Sequence, residues 1–162
     1  MKFQRVLIGI DDSKYAENAA QYGFELARQF NAEVALVHIV EPVVTTPLND
    51  SSMMGSIIPS LSGGVEEAEV INAQQEYSRK LINDTIDKLG SGLTVTQFNE
   101  IGSTSDTIID CAARFRADLI VIGTHSRTGL DRFLMGSVAE SIVRHSPVAV
   151  LVIPMKEEEA KP

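Results

Sequence analysis

Four segments of this chain are nearly unbroken apolar runs: Val6-Leu7-Ile8-Gly9-Ile10, Val34 to Val40, Leu119-Ile120-Val121-Ile122 and Val148 to Ile153. Runs this short, β-branched and without alternation are the pattern of strands buried on both faces of a parallel sheet. A fifth run, Leu93 to Phe98, alternates apolar and polar and predicts a more exposed edge strand. Helical periodicity fills the gaps. Ala16, Ala20, Gly23, Ala27 and Phe30 share one face after an N-cap at Ser13. Tyr77, Leu81 and Thr85, with Ile82, Ile86 and Leu89 beside them, form a second stripe. Ile108, Ala112 and Phe115 form a third, opened by a Ser103-x-x-Asp106 capping pattern, and Leu134, Val138 and Ile142 a fourth.

The resulting order, β-α-β-α-β-α-β-α-β, predicts an α/β fold: a doubly wound five-stranded parallel sheet with right-handed crossovers and helices on both faces. One domain spanning 1–155 is expected. Residues 41–65, with three of the six prolines and many Ser, Asn and Gly, are too long for an ordinary strand-to-helix connection. They read as a mobile loop, either a lid or plain disorder, with Met53, Met54, Ile57, Ile58 and Leu61 tilting the choice toward a lid or interface. The acidic tail 156–162 reads as a disordered, solvated charge run.

Composition narrows the function. The chain has 162 residues, 44% apolar and 22% charged, with net charge -8. An acidic protein is repelled by nucleic acid and by anionic membranes, so neither is expected as a partner. No apolar run approaches the roughly 20 residues of a membrane helix, and nothing resembling a signal peptide precedes the first strand, so a cytoplasmic setting is expected. Cys111 is the lone cysteine and falls on an apolar helix face, which excludes an internal disulfide framework. His38 reads as a hydrogen-bonded strand residue and His145 as a helix-end cation. Only His125 lies where a ligand is expected, and the three histidines do not form a metal set.

In a doubly wound sheet the ligand sits beyond the carboxyl ends of the strands, where the order reverses. Two unusual sequences fall at such ends: Gly9-Ile10-Asp11-Asp12-Ser13, and Gly123-Thr124-His125-Ser126-Arg127-Thr128-Gly129 running on to Gly136-Ser137. A helix starting near Gly136-Ser137 presents free N–H groups and a positive dipole end to an anion, and Arg127 and Arg132 add charge. The competing reading is a turning glycine and a capping serine. Neither G-x-x-x-x-G-K-[ST] nor G-x-G-x-x-G is present.

The stretch GTHSRTGLDRFLMGSVAESIVRHSPVAVLVIP resembles the carboxyl-terminal motif of the universal stress protein family, and VLIGIDDSKYAENA resembles its first strand and turn. The resemblance implies a Rossmann-like sheet of order 3-2-1-4-5. The ATP-binding branch carries G-x2-G-x9-G-[ST], which here reads Gly123, Ser126, Gly136 and Ser137: the spacing is kept and the middle glycine is a serine. If that position requires positive φ, the serine costs ~1–2 kcal/mol and weakens the nucleotide, unless its hydroxyl meets a phosphate instead. Carried over by position, the resemblance puts adenine and ribose beside Ile10, Asp11 and Ile39, with Gly123 at the nucleotide. It puts the phosphates against Ser126, Arg127, Gly136, Ser137, Val138 and Ala139; Ser13, Thr124 and His125 complete the candidate set. Asp11 is either a carboxylate for the sugar or for Mg2+ near the phosphates, or a residue that caps the following helix; Asp12 is the weaker candidate.

The expected function is a stress-response and signalling module that binds ATP, AMP or another adenine nucleotide and acts through nucleotide-dependent dimer or protein-partner interactions. No catalytic constellation is visible, since adjacent His125 and Ser126 do not face each other. A slow ATPase or nucleotide-dependent enzyme is the alternative. A phosphoacceptor receiver is a further one, suggested by Asp11-Asp12, but Glu100 stands where it needs an aspartate, and Pro154 precedes the nearest lysine, Lys156. The last strand, Val148 to Ile153, is an apolar edge in the order 3-2-1-4-5. Such an edge invites pairing with the same strand of a second copy, and the resemblance implies the same homodimer.

Overall fold

A computed structural model of the chain describes residues 2–42, 65–124 and 135–154. Its elements are β1 (Arg5–Gly9), α1 (Lys14–Phe30), β2 (Glu33–Val40), α2 (Val65–Leu89), β3 (Val95–Ile101), α3 (Thr104–Phe115), β4 (Leu119–Gly123), α4 (Ser137–His145) and β5 (Ala149–Ile153). The five strands form one sheet in the order β3-β2-β1-β4-β5, and every pairing is parallel. The doubly wound order expected from the sequence is the order found. The structural reading of loop 41–65 falls on residues 43–64, and that of the tail on 156–162; both lie outside the described residues.

The apolar runs lack alternation because both faces of the central strands are covered. Val6 and Ile8 of β1, with Val34 and Leu36 of β2, pack against Ala19, Ala20, Phe24 and Ala27 of α1 and Ile82 of α2. Their neighbours Leu7, Ala35 and Val37 point the other way, onto Ile108, Cys111 and Ala112 of α3 and Ile142 of α4. Each fully buried Leu, Ile or Phe contributes about 1.5–3 kcal/mol of transfer free energy, and these two layers hold the sheet between them.

Three expectations need correction. The third strand runs Val95–Ile101 rather than starting at Leu93, because the turn after α2 bonds Leu93 N–H to Gly90 and because the long β2 pairs with it from Val34↔Val95 to Val40↔Ile101. Ser103 sits at the N-cap of α3, but its side chain takes no helix N–H; the turn is closed by backbone alone, Thr107 N–H to Ser103 O. Tyr77 does not belong to the core stripe: it is 46% exposed, while the polar Ser78 beside it is fully buried.

Cys111 is fully buried on α3, as its helical spacing implied. Burial pushes its thiol up, against the lowering pull of the Arg114 guanidinium 3.1 Å from Sγ. A thiol both covered and short of thiolate is inert. Native protein at pH 8 is therefore expected to react with a thiol reagent at least roughly a hundredfold slower than the unfolded chain, as timed thiol titration with and without denaturant will show.

Among the described residues no helix is long and apolar enough to cross a membrane.

Candidate functional site

The order of strands reverses between β1 and β4, and a cavity of about 820 Å³ opens at the carboxyl ends there. It is lined by Ile10 and Asp11 after β1, His38 and Ile39 of β2, Gly123 and Thr124 at the end of β4, and Gly136 through Ala139 at the start of α4. Nine residues singled out from the sequence, Ile10, Asp11, Ile39, Gly123, Thr124, Gly136, Ser137, Val138 and Ala139, are thus brought to one space. His125, Ser126 and Arg127 lie outside the described residues. Ser13 does something else: its Oγ accepts the Ala16 N–H at 3.1 Å and caps α1, and it is not among the described cavity-lining residues.

Local sequence explains the geometry. A Cβ on Gly123 would lie 2.8 Å from the backbone carbonyl of Tyr15, so only glycine lets α1 press onto the end of β4. The next residue, Thr124, donates its N–H to Ile153 O (3.2 Å) and accepts the Gly136 N–H on its own carbonyl (2.7 Å). The chain therefore returns at Gly136 to the place it left, and α4 begins against the strand ends. Gly136 is the N-cap of α4 and supplies no side-chain acceptor. The N–H groups of Ser137, Val138 and Ala139 have no intrahelical partner, and all three residues line the cavity. With the dipole of the helix behind them they form a seat for an anion.

Asp11 lies in the turn from β1 to α1. It lines the cavity, and its Oδ1 accepts the Ser13 N–H at 2.8 Å, which fixes the turn into α1. Asp12 is tied to α2 by the Tyr77 hydroxyl, which donates to its Oδ2 at 3.0 Å. His38 is buried, and its Nδ1 lies 2.7 Å from Ser78 Oγ, the hydrogen-bonded strand histidine expected. Tyr77 and Ser78 are the site-side residues that sequence reading missed. A tyrosine at helical spacing looks like core until it is known which face of the helix the sheet covers, whereas a serine in mid-helix gives no signal at all.

Among the described residues lining the cavity there is no lysine or arginine, and Asp11 and Glu41 are acidic. Glu41 accepts a hydrogen bond from the Thr104 hydroxyl. Positive potential in this part of the site is supplied by the α4 terminus. A smaller groove of about 470 Å³ at the opposite, amino edge of the sheet includes Arg5, Glu33 and Asp118. Its acids are engaged, Asp118 by the N–H groups of Gln4 and Arg5 and Glu33 by the Arg5 guanidinium. Helices α1 and α3 end there, so their dipoles oppose an anion. At the carboxyl edge, by contrast, a helix begins: α4. No group of three or more His, Cys, Asp or Glu suited to a metal exists among the described residues.

The sequence profile described as the universal stress protein family matches residues 2–154. A universal stress protein of Methanocaldococcus jannaschii is 30% identical over 159 residues, covering 96% of this chain and 85% of that protein. Among solved structures, a universal stress protein from Lactobacillus plantarum superposes with a TM-score of 0.75 at 20% identity, covering 94% of this chain and 99% of the other. A universal stress protein from Archaeoglobus fulgidus in complex with dAMP superposes with a TM-score of 0.55 at 23% identity, covering 94% and 99%.

Proposed function

The chain belongs to the universal stress protein family, and from that premise we propose that it binds an adenine nucleotide in the cavity at the β1–β4 switch point. The observation that carries the reading is the uncapped start of α4: three cavity-lining residues with N–H groups free of helix bonds, behind a glycine with no side chain to take them. The dAMP complex of the Archaeoglobus relative supports an adenine mononucleotide as the ligand. In this reading the base and ribose lie against Ile10, Asp11 and Ile39, and the phosphates meet Ser137, Val138 and Ala139, with Ser126 and Arg127 completing that end. ATP is the proposed ligand. The Asp11 carboxylate suits Mg2+, which commonly takes one or two protein carboxylates and draws its remaining ligands from phosphates and water.

The bound nucleotide in turn governs pairing with a second copy or another protein, a stress-signalling role in keeping with the family. Calorimetric titration of the purified protein with ATP, ADP, AMP and guanine nucleotides tests the reading; adenine nucleotides binding no better than guanine nucleotides overturns it. Phosphate release in the presence of Mg2+, at rates well above background, would select the enzyme reading instead.

Ser126 is a quantitative test of the phosphate end. If its backbone holds positive φ, Ser126→Gly is expected to tighten ATP by up to roughly tenfold, one decade being about 1.4 kcal/mol. A fall in affinity means that the serine hydroxyl is itself a ligand. Unchanged affinity removes Ser126 from the site.

A further inference from the structure

Helix α2 runs past the sheet. Its carboxyl-terminal half packs through Ile82, whereas residues 68–73 are exposed and project beyond the strand ends. The projecting part presents Val70, Ala73, Gln74 and Tyr77 to the cavity, an i, i+3, i+4, i+7 stripe that forms a wall facing the ends of β1 and β4. Two polar contacts anchor this helix where it leaves the sheet, His38 Nδ1 to Ser78 Oγ at 2.7 Å and Asn99 Nδ2 to the Gln75 carbonyl at 3.2 Å. Tyr77 is placed between the two anchored residues, Gln75 and Ser78. It is the only phenylalanine, tyrosine or tryptophan among the described cavity-lining residues, and its hydroxyl reaches Asp12 in the turn that follows Ile10 and Asp11.

We propose that Tyr77 is the base-stacking residue of this site, its ring forming one face of the slot whose other face is built by Ile10 and Ile39, and its hydroxyl bond to Asp12 setting the ring's angle. The proposal rests on the adenine-nucleotide reading and adds a residue to it. A half-exposed aromatic ring in a cavity wall is a standing exposure of apolar surface, and a planar ligand covers it. The geometry also divides the cavity by chemistry. The apolar wall of α2 and the β-branched ends of β1 and β2 suit a flat heterocycle, while the α4 terminus suits its phosphates. The hydroxyl gives the ring a fixed orientation that a phenylalanine would lack, so the ring carries the affinity and the hydroxyl its alignment.

The test uses three full-length proteins: wild type, Tyr77→Phe and Tyr77→Leu. Tyr77 is half exposed, so these changes leave the core intact, and far-ultraviolet circular dichroism checks that they do. Tyr77→Leu keeps an apolar wall without a π face and is expected to weaken ATP and AMP roughly tenfold or more, the loss of one stacked base. Tyr77→Phe is expected to stay within about threefold of wild type. The chain has no tryptophan and three tyrosines, so emission from stacked Tyr77 is a separable signal. Nucleotide should quench part of the tyrosine emission of wild type, after correction for absorbance, and none in either variant. Wild type that binds adenine nucleotide while Tyr77→Leu binds equally well overturns the assignment and leaves the nucleotide reading standing. Equal losses in Phe and Leu variants also overturn stacking, because the hydroxyl alone would then carry the effect. Wild type that binds no adenine nucleotide overturns both readings.

Discussion

Gly136→Asp is expected to abolish nucleotide binding while leaving the protein at least as stable as the wild type. Gly136 is the N-cap of α4, with φ -58 and ψ 152, an extended backbone that aspartate adopts without strain. Aspartate is among the best N-cap residues, and its carboxylate takes the N–H of the second or third helical residue, here Val138 or Ala139. Those are the N–H groups proposed for the phosphates. The substitution therefore fills the seat with the protein's own anion, and adds a like charge against any phosphate that approaches. A hydrogen bond to a charged group is worth about 1.5–3 kcal/mol, so losing even one weakens binding by at least roughly tenfold, and the like charge adds to that loss. Gly136→Asn is the control that separates capping from charge: it takes the same N–H without repulsion and should lose less. Calorimetric titration reads the affinities, and thermal unfolding reads the fold. Unchanged ATP affinity in a folded Asp variant removes the α4 terminus from the site.

Val150→Pro is expected to break a homodimer built on β5. The sheet order leaves β5 at one edge and β3 at the other. β3 is blunted by polar residues, Thr96, Gln97 and Asn99, whereas β5 is apolar from Ala149 to Ile153. Direction along β5 follows from one bond. Ile153 O accepts the Thr124 N–H, so Ile153 faces β4. N–H and C=O of a residue point to the same side of a strand and alternate with the next, so Leu151 also faces β4, while Val150 and Val152 present theirs to the open edge. Proline at Val150 thus removes an outward N–H and spares the inner ladder, a setting in which an edge strand tolerates it. In a two-fold dimer each substitution acts twice. At about 1 kcal/mol per bond, two lost bonds weaken the dimer by roughly 30-fold. Val150→Thr keeps the N–H and the β-branch and should pair normally. Light scattering across a dilution series decides the matter: a wild type that is monomeric at tens of micromolar, or a folded proline variant of full dimer mass, refutes the edge-strand interface.

These two substitutions also mark where reading the sequence stops. Gly136 and Ser137 were identifiable as a helix start because glycine, serine and an apolar repeat are local signals, and the strand preceding Gly123 because two-sided burial writes itself as an unbroken apolar run. Periodicity, caps and breakers act over a few residues, so α1, α4 and the buried strands were all legible. The family resemblance then supplied the strand order, which no local signal encodes.

Other features depended on where elements met. Tyr77 and Ile82 both belong to the apolar pattern of α2, yet Ile82 shares its face with Ser78 and both are fully buried, whereas Tyr77 lies off that face and is 46% exposed. Ser13 and Asp11 both sat in the first turn, and only their hydrogen bonds separated a cap for α1 from a residue that also lines the cavity. The β3 boundary moved because partner length, not propensity, sets how far an edge strand extends. By itself the amino-acid sequence determined the elements, their two-sided burial and the helix start suited to an anion, since each is a consequence of neighbours along the chain. Only the tertiary structure decided that Asp12 is held by Tyr77 and which edge N–H groups face outward, because these follow from residues 65 or more positions apart meeting in space, or from the register of one strand on another.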